Sequence, residues 1–595
     1  MNRTRSQDPR LAALEGKAES DWAEAIHQLR LLIADEPLNV AAYRTLAKVL
    51  ARAEKALETA RQLRTTVHTM DHELMRVSNA IGAGDLETAE NILRERLIQR
   101  PADVNALLLM ARFAKALAYH RESEGLLALA VELAPEFVPA RLELAAELQR
   151  QNRPVEALHE LEGLLEMEPN NGAALTIKAS ALSRAARYDE SIQLYEELIQ
   201  RAPRDATLWT GYGHALKTIG RFTDGERAMR NAIEIAPSSG VAWWNLSNLK
   251  LTRFSRNDLL AMENALQQPG LSTEDRYHLH FAVGKAMEDS GEYASAFRHY
   301  EQANDLRKQS LDYDPNDVTR EVDDQIGIFG EEFFRARKGW GYPSSEPIFV
   351  VGMTRAGSTL IEQILASHSA IEGTMELPDV AVIAREAGRG ETGFLQRLEK
   401  FDPEDFRSMG EQYLRRTRVH RIERKPLFID KMPLNWFLVP FIQLILPNAK
   451  IIDARRNPMA CGFSNFRQHF TLGQPFSYDL EWFGRYYRDY VRLMSHVDRV
   501  LPGRVHRVIH EQLILNPDEQ VRSMLDYLEL PFEEACLRFY ESKRAVKTPS
   551  SEQVRQPLNL SGLEHWRNFE QWLGPLRRAL GSVAELYPQV PVFAA

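Results

Sequence analysis

The stretch PIFVVGMTRAGSTLIEQILAS, residues 347–367, decides how the second half of this chain folds. An apolar run is followed by a loop with glycines and hydroxyl residues and then by a helical pattern, which predicts a buried strand, a loop and a helix. Backbone N–H groups at the start of such a helix point toward an anion, and Arg355 adds a forked, permanently charged donor. The alternative is a tight strand-to-helix turn with ordinary capping.

The same loop disfavours two common nucleotide sites. Ser358 stands where the lysine of an ATP-binding P-loop is expected, and the G-x-G-x-x-G pattern of a dinucleotide fold is absent from the loop. A P-loop kinase or ATPase would need that lysine and also a carboxylate that binds magnesium. We keep this class only as a third hypothesis. We therefore predict an anion site of another kind.

Three further apolar runs, KPLFID, AKIIDA and VHRVIH, each precede a polar or helical segment. This alternation predicts a parallel α/β sheet covered by helices. Ligands of such sheets bind beyond the carboxyl ends of the strands. The residues that follow each strand are therefore the candidate site residues.

Two of these strand ends carry cations. Lys431 directly follows KPLFID, where it could reach a charge above the sheet; the alternatives are a solvated lysine or an ion pair with Asp430. After AKIIDA, Asn457 is a good helix N-cap, and Ser464 lies two turns further along on nearly the same face of the helix. Its hydroxyl can therefore turn toward the strand end that carries Arg456. Arg456 and Ser464 can hold a second anion, or they are a surface arginine and a helix serine.

The first half of the chain is repetitive. Prolines that end helical patterns recur at intervals of 34 residues, and a small residue lies twelve positions before each of them. The pairs are Ala89 and Pro101, Ser123 and Pro135, Ala157 and Pro169, Ser191 and Pro203, and Gly225 and Pro237. A second small column, of Ala111, Ala145, Ala179 and Gly213, repeats at the same interval, and Trp209 and Trp243 share another register. This pattern resembles the tetratricopeptide repeat, with roughly seven to nine units.

The repeats end near residue 310, after which one more amphipathic helix precedes a linker with Gly339, Gly341 and Pro343. We therefore predict an all-α repeat solenoid at residues 1–310, a helix and linker at 311–345, and an α/β domain at 346–595. A solenoid of this kind presents a groove to a protein or peptide partner. A rigid spacer or a dimerisation arm is the alternative, and a homodimer is left open.

Composition narrows the function classes. The chain has 595 residues, which exceed one hydrophobic core, and its net charge of −9 gives no general reason to expect nucleic-acid binding. Cys461 and Cys536 are its only cysteines, too few for a disulfide framework or a four-cysteine zinc site, and this number is typical of a protein in a reducing compartment. No apolar run approaches the ~20 residues of a membrane helix. We predict a cytoplasmic protein that does not span a membrane.

Five ordered segments of the second half resemble the motifs of sulfotransferases, most closely those of the tyrosylprotein sulfotransferase group. They are the opening stretch with its continuation to TMELPD, then FIDKMPLNW, IIDARRNPMACGFSNF, VIHEQLILNP, and SSEQVRQPLN followed by EHW. Their order agrees across roughly residues 345–570. Nearly the whole chain is similar to a bacterial family that joins tetratricopeptide repeats to such a domain. The implied fold is a repeat solenoid followed by a P-loop-like α/β domain with a central parallel sheet.

The resemblance implies the donor 3′-phosphoadenosine 5′-phosphosulfate, abbreviated PAPS, and no metal. Its two phosphate positions match the two anion sites predicted from the strand ends. The residues implied for the 5′-phosphosulfate are Arg355, Gly357, Ser358 and Thr359, those for the 3′-phosphate are Arg456 and Ser464, and two further nucleotide contacts fall on His510 and His565.

The resemblance also implies catalytic roles. Glu376 matches the family's base, which a phenolic hydroxyl with a pKa near 10 needs close by. Lys431 matches the lysine that supports the leaving phosphate oxygen, and Arg355 would stabilise the sulfuryl oxygens. Ser550 matches a serine that hydrogen-bonds near the transferring group, with Ser551 as a competing assignment.

Four residues depart from the family pattern. In the usual P-R-S-G-T-T loop, Thr354 replaces the proline and Ala356 replaces a hydroxyl donor. His510 replaces a tyrosine and His565 a lysine. Because histidine is partly charged at neutral pH, we expect these two contacts to be weaker or pH-dependent.

The sequence thus predicts a PAPS-dependent sulfotransferase whose repeat domain binds a partner or the acceptor. The acceptor hydroxyl is left open among a peptide tyrosine, a saccharide and a small-molecule alcohol. The competing hypothesis is an interaction scaffold with a vestigial nucleotide-binding domain, which is favoured if Glu376 and Lys431 point away from the site.

Overall fold

The computed structural model divides the chain into two compact units, Met1–Ala215 and Leu216–Ala595. It describes residues 9–17, 22–36, 38–54, 71–117, 119–151, 153–249, 252–388, 394–470, 474–542, 544, 552–560 and 562–593. Within these ranges no helix is both long enough and apolar enough to cross a bilayer. The predicted cytoplasmic location stays a prediction.

The first unit consists of helices. They are α1 (Pro9–Lys17), α2 (Trp22–Asp35), α3 (Val40–Glu54), α4 (His72–Ala83), α5 (Leu86–Gln99), α6 (Val104–Ala116), α7 (His120–Leu133), α8 (Val138–Arg150), α9 (Pro154–Met167), α10 (Gly172–Arg184), α11 (Tyr188–Arg201) and α12 (Ala206–Thr218), whose end enters the second unit. Consecutive helices pack in pairs, for example α6 with α7 and α8 with α9. Asp71, Asp103 and Asn171 cap their helices with side-chain oxygens, as polar residues at N-caps do.

The repeat columns predicted from sequence are buried between paired helices. Ala89, Ala157 and Ser191 are fully buried, and Ser191 Oγ donates to the carbonyl of Ala179, a member of the second small column, over 2.7 Å. α9 ends two residues before Pro169, as the periodic prolines indicated. The prediction of tetratricopeptide repeats is therefore confirmed. Their number stays a prediction, because residues 55–70 lie outside the described ranges.

The second unit begins with more helices of the same kind. They are α13 (Phe222–Ile235), α14 (Gly240–Ser247), α15 (Arg256–Leu266), α16 (Thr273–Asp289), α17 (Tyr293–Lys308), α18 (Pro315–Ile328) and α19 (Glu331–Ala336). Trp243 Nε1 donates to the carbonyl of Pro237 over 2.9 Å. In the first unit Trp209 makes the same bond to Pro203, so the shared tryptophan register closes equivalent turns.

A five-stranded parallel sheet follows, in the order β2-β3-β1-β4-β5. Its strands are β1 (Pro347–Gly352), β2 (Ile371–Gly373), β3 (Leu427–Asp430), β4 (Lys450–Arg455) and β5 (Val505–Ile509). Four of them coincide with the predicted apolar runs. β1 is buried along its whole length, as expected for a parallel strand that is covered on both faces. The sequence did not predict β2, because three residues are too short to show a pattern.

Helices connect and cover these strands. They are α20 (Ser358–Ala366), α21 (Asp379–Ala387), α22 (Phe394–Leu398), α23 (Pro403–Thr417), α24 (Val439–Ile445), α25 (Pro458–Phe466), α26 (Leu480–Val500), α27 (His510–Leu515), α28 (Pro517–Tyr527), α29 (Gly574–Leu580) and α30 (Ser582–Glu585). Short 3-10 helices occupy Arg418–His420, Pro433–Leu438, Pro475–Tyr478, Glu534–Cys536, Phe539–Glu541, Gln553–Arg555 and His565–Trp572.

The hydrophobic core of the second unit includes repeat-like helices as well as the sheet. Trp244, Phe281 and Tyr300 from α14, α16 and α17 belong to the same buried cluster as Val350 of β1 and Ile451 of β4. A fold with a helical repeat region and a parallel-sheet domain is therefore confirmed. The predicted boundaries at residues 310 and 345 stay a prediction.

Candidate functional site

The order of the strands brings three sequence-predicted segments to one edge of the sheet. β1 lies between β3 and β4, and parallel strands end at the same side. The loop with Arg355 follows β1, Lys431 follows β3, and Arg456 follows β4. Residues that are far apart in the sequence therefore line one edge, where ligands of parallel sheets bind.

The loop after β1 is held in a conformation that requires its glycines. Gly352 has φ of +136°, and a Cβ added there would lie 2.3 Å from the carbonyl oxygen of Ala454. Gly357 has φ of +98° and caps α20, and a Cβ added there would lie 2.5 Å from His510 Nδ1. Both are positions where only glycine fits without strain. The close approaches fix the loop against the end of β4 and against His510.

The two departures within this loop have buried environments. Thr354 Oγ1 donates to Asn465 Oδ1 over 2.6 Å, and Asn465 Nδ2 donates back to the carbonyl of Thr354 over 2.8 Å. This reciprocal pair ties the loop to α25 where the family has a proline. Ala356 is buried in the core. The structure thus replaces a rigid residue by two hydrogen bonds, each worth about 1 kcal/mol.

The residues predicted for two anions are joined through Arg355. Arg355 Nε donates to Ser464 Oγ over 3.3 Å, and Arg456 donates to the carbonyl of Arg355 over 3.2 Å and to that of Gly562 over 2.9 Å. Asn457 caps α25 as predicted, by accepting from the backbone of residues 459 and 460. Arg355, Arg456 and Ser464 therefore form one site.

The electrostatics of this site favour an anion. Burial, and then the charges of Arg467 and Arg456, lower the pKa of Arg355 to about 10. Arg456 Nε and His510 Nδ1 are buried and have no hydrogen-bond partner in the described part of the chain. Clustered guanidinium groups and unsatisfied buried nitrogens are both costly unless an acceptor reaches them. The residues present thus fit a phosphate-bearing ligand.

His510 differs from the sequence-based expectation in its charge. Burial, and then the charge of Arg456, lower the pKa of His510 to about 3. The imidazole is therefore neutral at pH 7, and it cannot supply the pH dependence near neutrality that a partly charged histidine was expected to give. Its ring packs against Gly357 in the anion loop.

Glu376 and Lys431 are paired at the end of β3. Lys431 Nζ donates to Glu376 Oε1 over 2.5 Å, and a second carboxylate oxygen, Glu362 Oε2, lies 4.0 Å from the same nitrogen. The Lys431 side chain is 2% exposed whereas that of Glu376 is 48% exposed. Asp430 is not the partner of Lys431, since its carboxyl accepts from Tyr413 and burial raises its pKa well above the usual value.

Arg544 supports this pair and was missed in the sequence. It donates to Glu362 Oε1 over 2.5 Å, to Gln363 Oε1 over 2.8 Å and to the carbonyl of Thr374 over 2.6 Å. It therefore joins α20 to the segment that carries Glu376. Glu362 offered a weak signal, as a carboxylate amid apolar residues of STLIEQ. Arg544 offered none, because no motif surrounds it.

Lys217 is a second residue that the sequence did not indicate. It lies near the end of α12, it is buried, and its Nζ donates to the carbonyl of Asn248 over 2.7 Å. Burial lowers its pKa to about 8, the charge of Glu552 acts in the opposite sense, and the charge of Arg355 lowers it further. A cation from a repeat helix is thus close enough to influence the anion loop.

Of the remaining predicted residues, some lie in the described part of the chain and others do not. Ser358 and Thr359 are buried in the first turn of α20. His565 Nε2 lies 3.0 Å from Glu288 Oε1 on α16. Ser550 and its competitor Ser551 lie outside the described residues, so their assignment stays a prediction.

Comparison with known proteins finds two segments that match family models. Residues 347–534 match the sulfotransferase family, and residues 148–210 match the tetratricopeptide repeat. The chain therefore carries a sulfotransferase-family domain together with tetratricopeptide repeats, as its motifs predicted.

Individual relatives cover only part of the chain. An uncharacterized protein of Aquifex aeolicus (strain VF5) is 34% identical over 328 residues, which are 53% of this chain and 43% of that protein. A protein-tyrosine sulfotransferase of Drosophila melanogaster is 25% identical over 238 residues, 37% of this chain and 46% of its own length. The chain thus spans less than half the length of these two curated relatives.

Among solved structures, the sulfotransferase domain of the Synechococcus PCC 7002 olefin synthase is 22% identical. The matched region spans 39% of this chain and 96% of the olefin synthase domain, with a TM-score of 0.26.

Proposed function

We propose that this protein transfers a sulfuryl group from PAPS to an acceptor hydroxyl. The observation that carries this proposal is that a base and a cation lie together at the carboxyl ends of the strands. Lys431 Nζ lies 2.5 Å from Glu376 Oε1 at the end of β3, and the anion loop follows the neighbouring strand β1. The match to the sulfotransferase family supports the reaction class.

The donor fits the residues of the anion site. Arg355, Ser358 and Thr359, with the backbone N–H groups at the start of α20, would hold the 5′-phosphosulfate. Arg456 and Ser464 would hold the 3′-phosphate, beside the neutral ring of His510. The phosphate charges would be attracted to the clustered guanidinium groups of Arg355 and Arg456.

In the transfer step, the acceptor oxygen forms a bond to sulfur while the bond between sulfur and the bridging phosphate oxygen breaks. Glu376 takes the acceptor's proton, and its half-exposed carboxylate is open to an incoming hydroxyl. Lys431 stabilises the charge that develops on the leaving oxygen, and Arg355 stabilises the sulfuryl oxygens. The nucleotide product leaves as the bisphosphate.

Lys431 is held by two carboxylates. Glu376 Oε1 takes its hydrogen bond, and Glu362 lies within ion-pair distance. Because a buried ammonium is costly without a counter-charge, Glu362 can retain Lys431 when Glu376 turns to the acceptor. The pair is thus compatible with one residue acting as a base and the other as a cation.

The acceptor class is suggested by the relatives. Several of them, including the Drosophila and Caenorhabditis elegans proteins, are protein-tyrosine sulfotransferases. We therefore propose a peptide tyrosine as the first acceptor to test, ahead of a saccharide or a small alcohol. The repeats would bind the protein that presents it.

A transfer assay with radiolabelled PAPS and a panel of hydroxyl acceptors tests this function. Wild type should label an acceptor, and Glu376→Gln should lower the rate at least ~100-fold, the usual contribution of a general base. The product nucleotide 3′-phosphoadenosine 5′-phosphate should still bind the variant. Glu529→Gln is the control, since this exposed carboxylate pairs with Lys450 at the opposite edge of the sheet.

Two other outcomes are informative. Wild type that binds the nucleotide but labels no acceptor would support the scaffold hypothesis. An unchanged rate for Glu376→Gln would remove Glu376 from the mechanism.

A further inference from the structure

A buried carboxylate from a repeat-like helix reaches the donor end of the candidate site. Glu288, at the end of α16, has a side chain that is 5% exposed. It accepts hydrogen bonds from Arg467 Nη1, from His565 Nε2 over 3.0 Å and from Tyr300 OH over 2.8 Å. Tyr300 therefore anchors Oε2 of the carboxylate, while Arg467 and His565 both bond Oε1.

Glu288 is ionised in this environment. Burial alone would raise its pKa, but the charge of Arg467 and the bond to His565 lower it to about 2. A buried carboxylate is tolerated when it is paired and hydrogen-bonded in this way. Its partners are less buried: the side chain of Arg467 is 27% exposed and that of His565 is 28% exposed.

Both partners lie next to the anion site. Arg467 directly follows α25, three positions after Ser464, and its charge lowers the pKa of Arg355. His565 is the position that the resemblance assigns to nucleotide binding, where the family has a lysine, and its ring lies against Phe463 of the same helix. Arg467 and His565 each have further nitrogen atoms beyond the one that bonds Glu288, and both side chains are partly exposed.

The end of α25 has two further attachments to repeat-like helices. Asn304 Nδ2 donates to the carbonyl of Phe466 over 2.7 Å, and Gln468 Nε2 donates to Asn248 Oδ1 over 3.2 Å. Unsatisfied carbonyls at a helix end need such donors. The position of the helix that carries Ser464 is therefore set partly by α17 and by the residue after α14.

We propose that Glu288 is a positioning residue for the donor site, which holds the Arg467 guanidinium and the His565 imidazole beside the anion loop so that both contact the bound nucleotide. The consequence is that donor affinity depends on a helix outside the sheet domain. This role depends on the proposed function, because the ligand that Arg467 and His565 would contact is the PAPS nucleotide.

Two effects of removing the charge oppose each other. Glu288→Gln leaves Arg467 without its counter-charge, which by simple electrostatics would strengthen anion binding. It also frees two side chains that were fixed, and ordering them again on binding costs free energy. Since Arg467 and His565 both lose their fixed anchor, we expect the loss of order to dominate and affinity to fall.

The test is calorimetric titration of the full-length protein with 3′-phosphoadenosine 5′-phosphate. Glu288→Gln and His565→Ala should each weaken binding about 10-fold, the effect of about 1.4 kcal/mol. The double variant should be less than additive, because Glu288 acts through His565 as well as Arg467. Glu301→Gln, an exposed carboxylate on α17, is the matched control for loss of one negative charge and should bind like wild type.

Two readouts separate positioning from a general structural role. In transfer assays the KM for the donor should rise while the KM for the acceptor stays constant, whereas a partly unfolded protein would show a lower maximal rate with both KM values unchanged. Tyr300→Phe removes only the hydroxyl that anchors Oε2, and it should weaken nucleotide binding about 3-fold. This variant provides the test if Glu288→Gln does not fold.

Unchanged or tighter nucleotide binding by Glu288→Gln, or by Tyr300→Phe where the first variant is unfolded, would overturn the positioning role. Fully additive losses in the double variant would overturn it as well. Wild type that binds no nucleotide at all would instead contradict the proposed function.

Discussion

At the level of single residues, the base and the cation of the candidate site are paired with each other and with further charged residues. Lys431 is held by Glu376 and Glu362, and Glu362 is held in turn by Arg544. Glycines at the anion loop permit backbone approaches that any side chain would block. Preorganisation of this kind, rather than any one contact, is what positioning of a transferring group requires.

Gly357→Ala should weaken nucleotide binding more than backbone strain alone explains. The added methyl would lie 2.5 Å from His510 Nδ1, and φ is +98°. Gly503→Ala is the matched control, because its φ is +77° and nothing lies within 4 Å of the added Cβ. Both should lose on the order of 1 kcal/mol of stability from the positive φ. Only Gly357→Ala should lose nucleotide affinity in a calorimetric titration; equal affinities would refute the close-approach argument.

Arg544→Ala should lower kcat while it leaves nucleotide affinity nearly unchanged. The substitution removes the bonds to Glu362 and to the carbonyl of Thr374, so the segment with Glu376 loses its support. Breaking a partly buried ion pair and its hydrogen bonds costs about 3 kcal/mol, or roughly 100-fold in rate if it acts on the transition state. Steady-state kinetics provide the measurement, with the exposed Arg538→Ala as the control. A loss confined to KM for the donor would contradict this role.

At the scale of elements, the strands and the helices that follow them were predictable from local pattern. Continuous apolar runs predicted β1, β3, β4 and β5, and the Asn457-Pro458 cap predicted the start of α25. β2 was not predictable, since it is held by pairing with β3 rather than by its own sequence. The contact between α16 and the end of α25 was equally hidden, because Glu288 and Arg467 share no sequence pattern.

The ion pair between α16 and α25 should make stability acid-sensitive. The pKa of Glu288 is lowered from 4.5 to about 2 on folding, so its contribution is complete above about 4.5 and is lost as pH falls toward 2. Glu288→Gln should therefore be less stable than wild type by on the order of 2 kcal/mol at pH 7, with a difference that shrinks below pH 5. Urea unfolding at several pH values measures this. A difference that is constant from pH 7 to pH 3 would contradict it.

At the scale of the whole molecule, periodicity predicted the repeats, and five ordered motifs predicted the sulfotransferase domain. The boundary between the hydrophobic core of the repeats and that of the sheet domain was harder to predict. Trp244, Phe281 and Tyr300 lie within residues 1–310, the region predicted to be the repeat solenoid, yet they are buried in the core that contains the sheet. Whether an apolar helix face meets another repeat or a different domain depends on tertiary packing, which local sequence does not encode.

A fragment of residues 216–595 should therefore fold and bind nucleotide, whereas a fragment of residues 346–595 should not fold. The shorter fragment would expose the apolar surfaces that α14, α16 and α17 cover and would lose the partner of Arg467. Circular dichroism and thermal unfolding of both fragments measure this. Cooperative unfolding of residues 346–595 alone would instead support the boundary predicted from the sequence.

Titration of 3′-phosphoadenosine 5′-phosphate into the full-length protein shows whether a PAPS nucleotide binds at the carboxyl ends of the strands. Wild type should bind, and Arg456→Ala should bind at least ~10-fold more weakly, since a charge-assisted phosphate contact contributes about 1.5–3 kcal/mol. Arg522→Ala, an exposed arginine paired with Asp518 on α28, should bind like wild type. Absence of binding to wild type, or equal binding by wild type and Arg456→Ala, would contradict a PAPS site at Arg456.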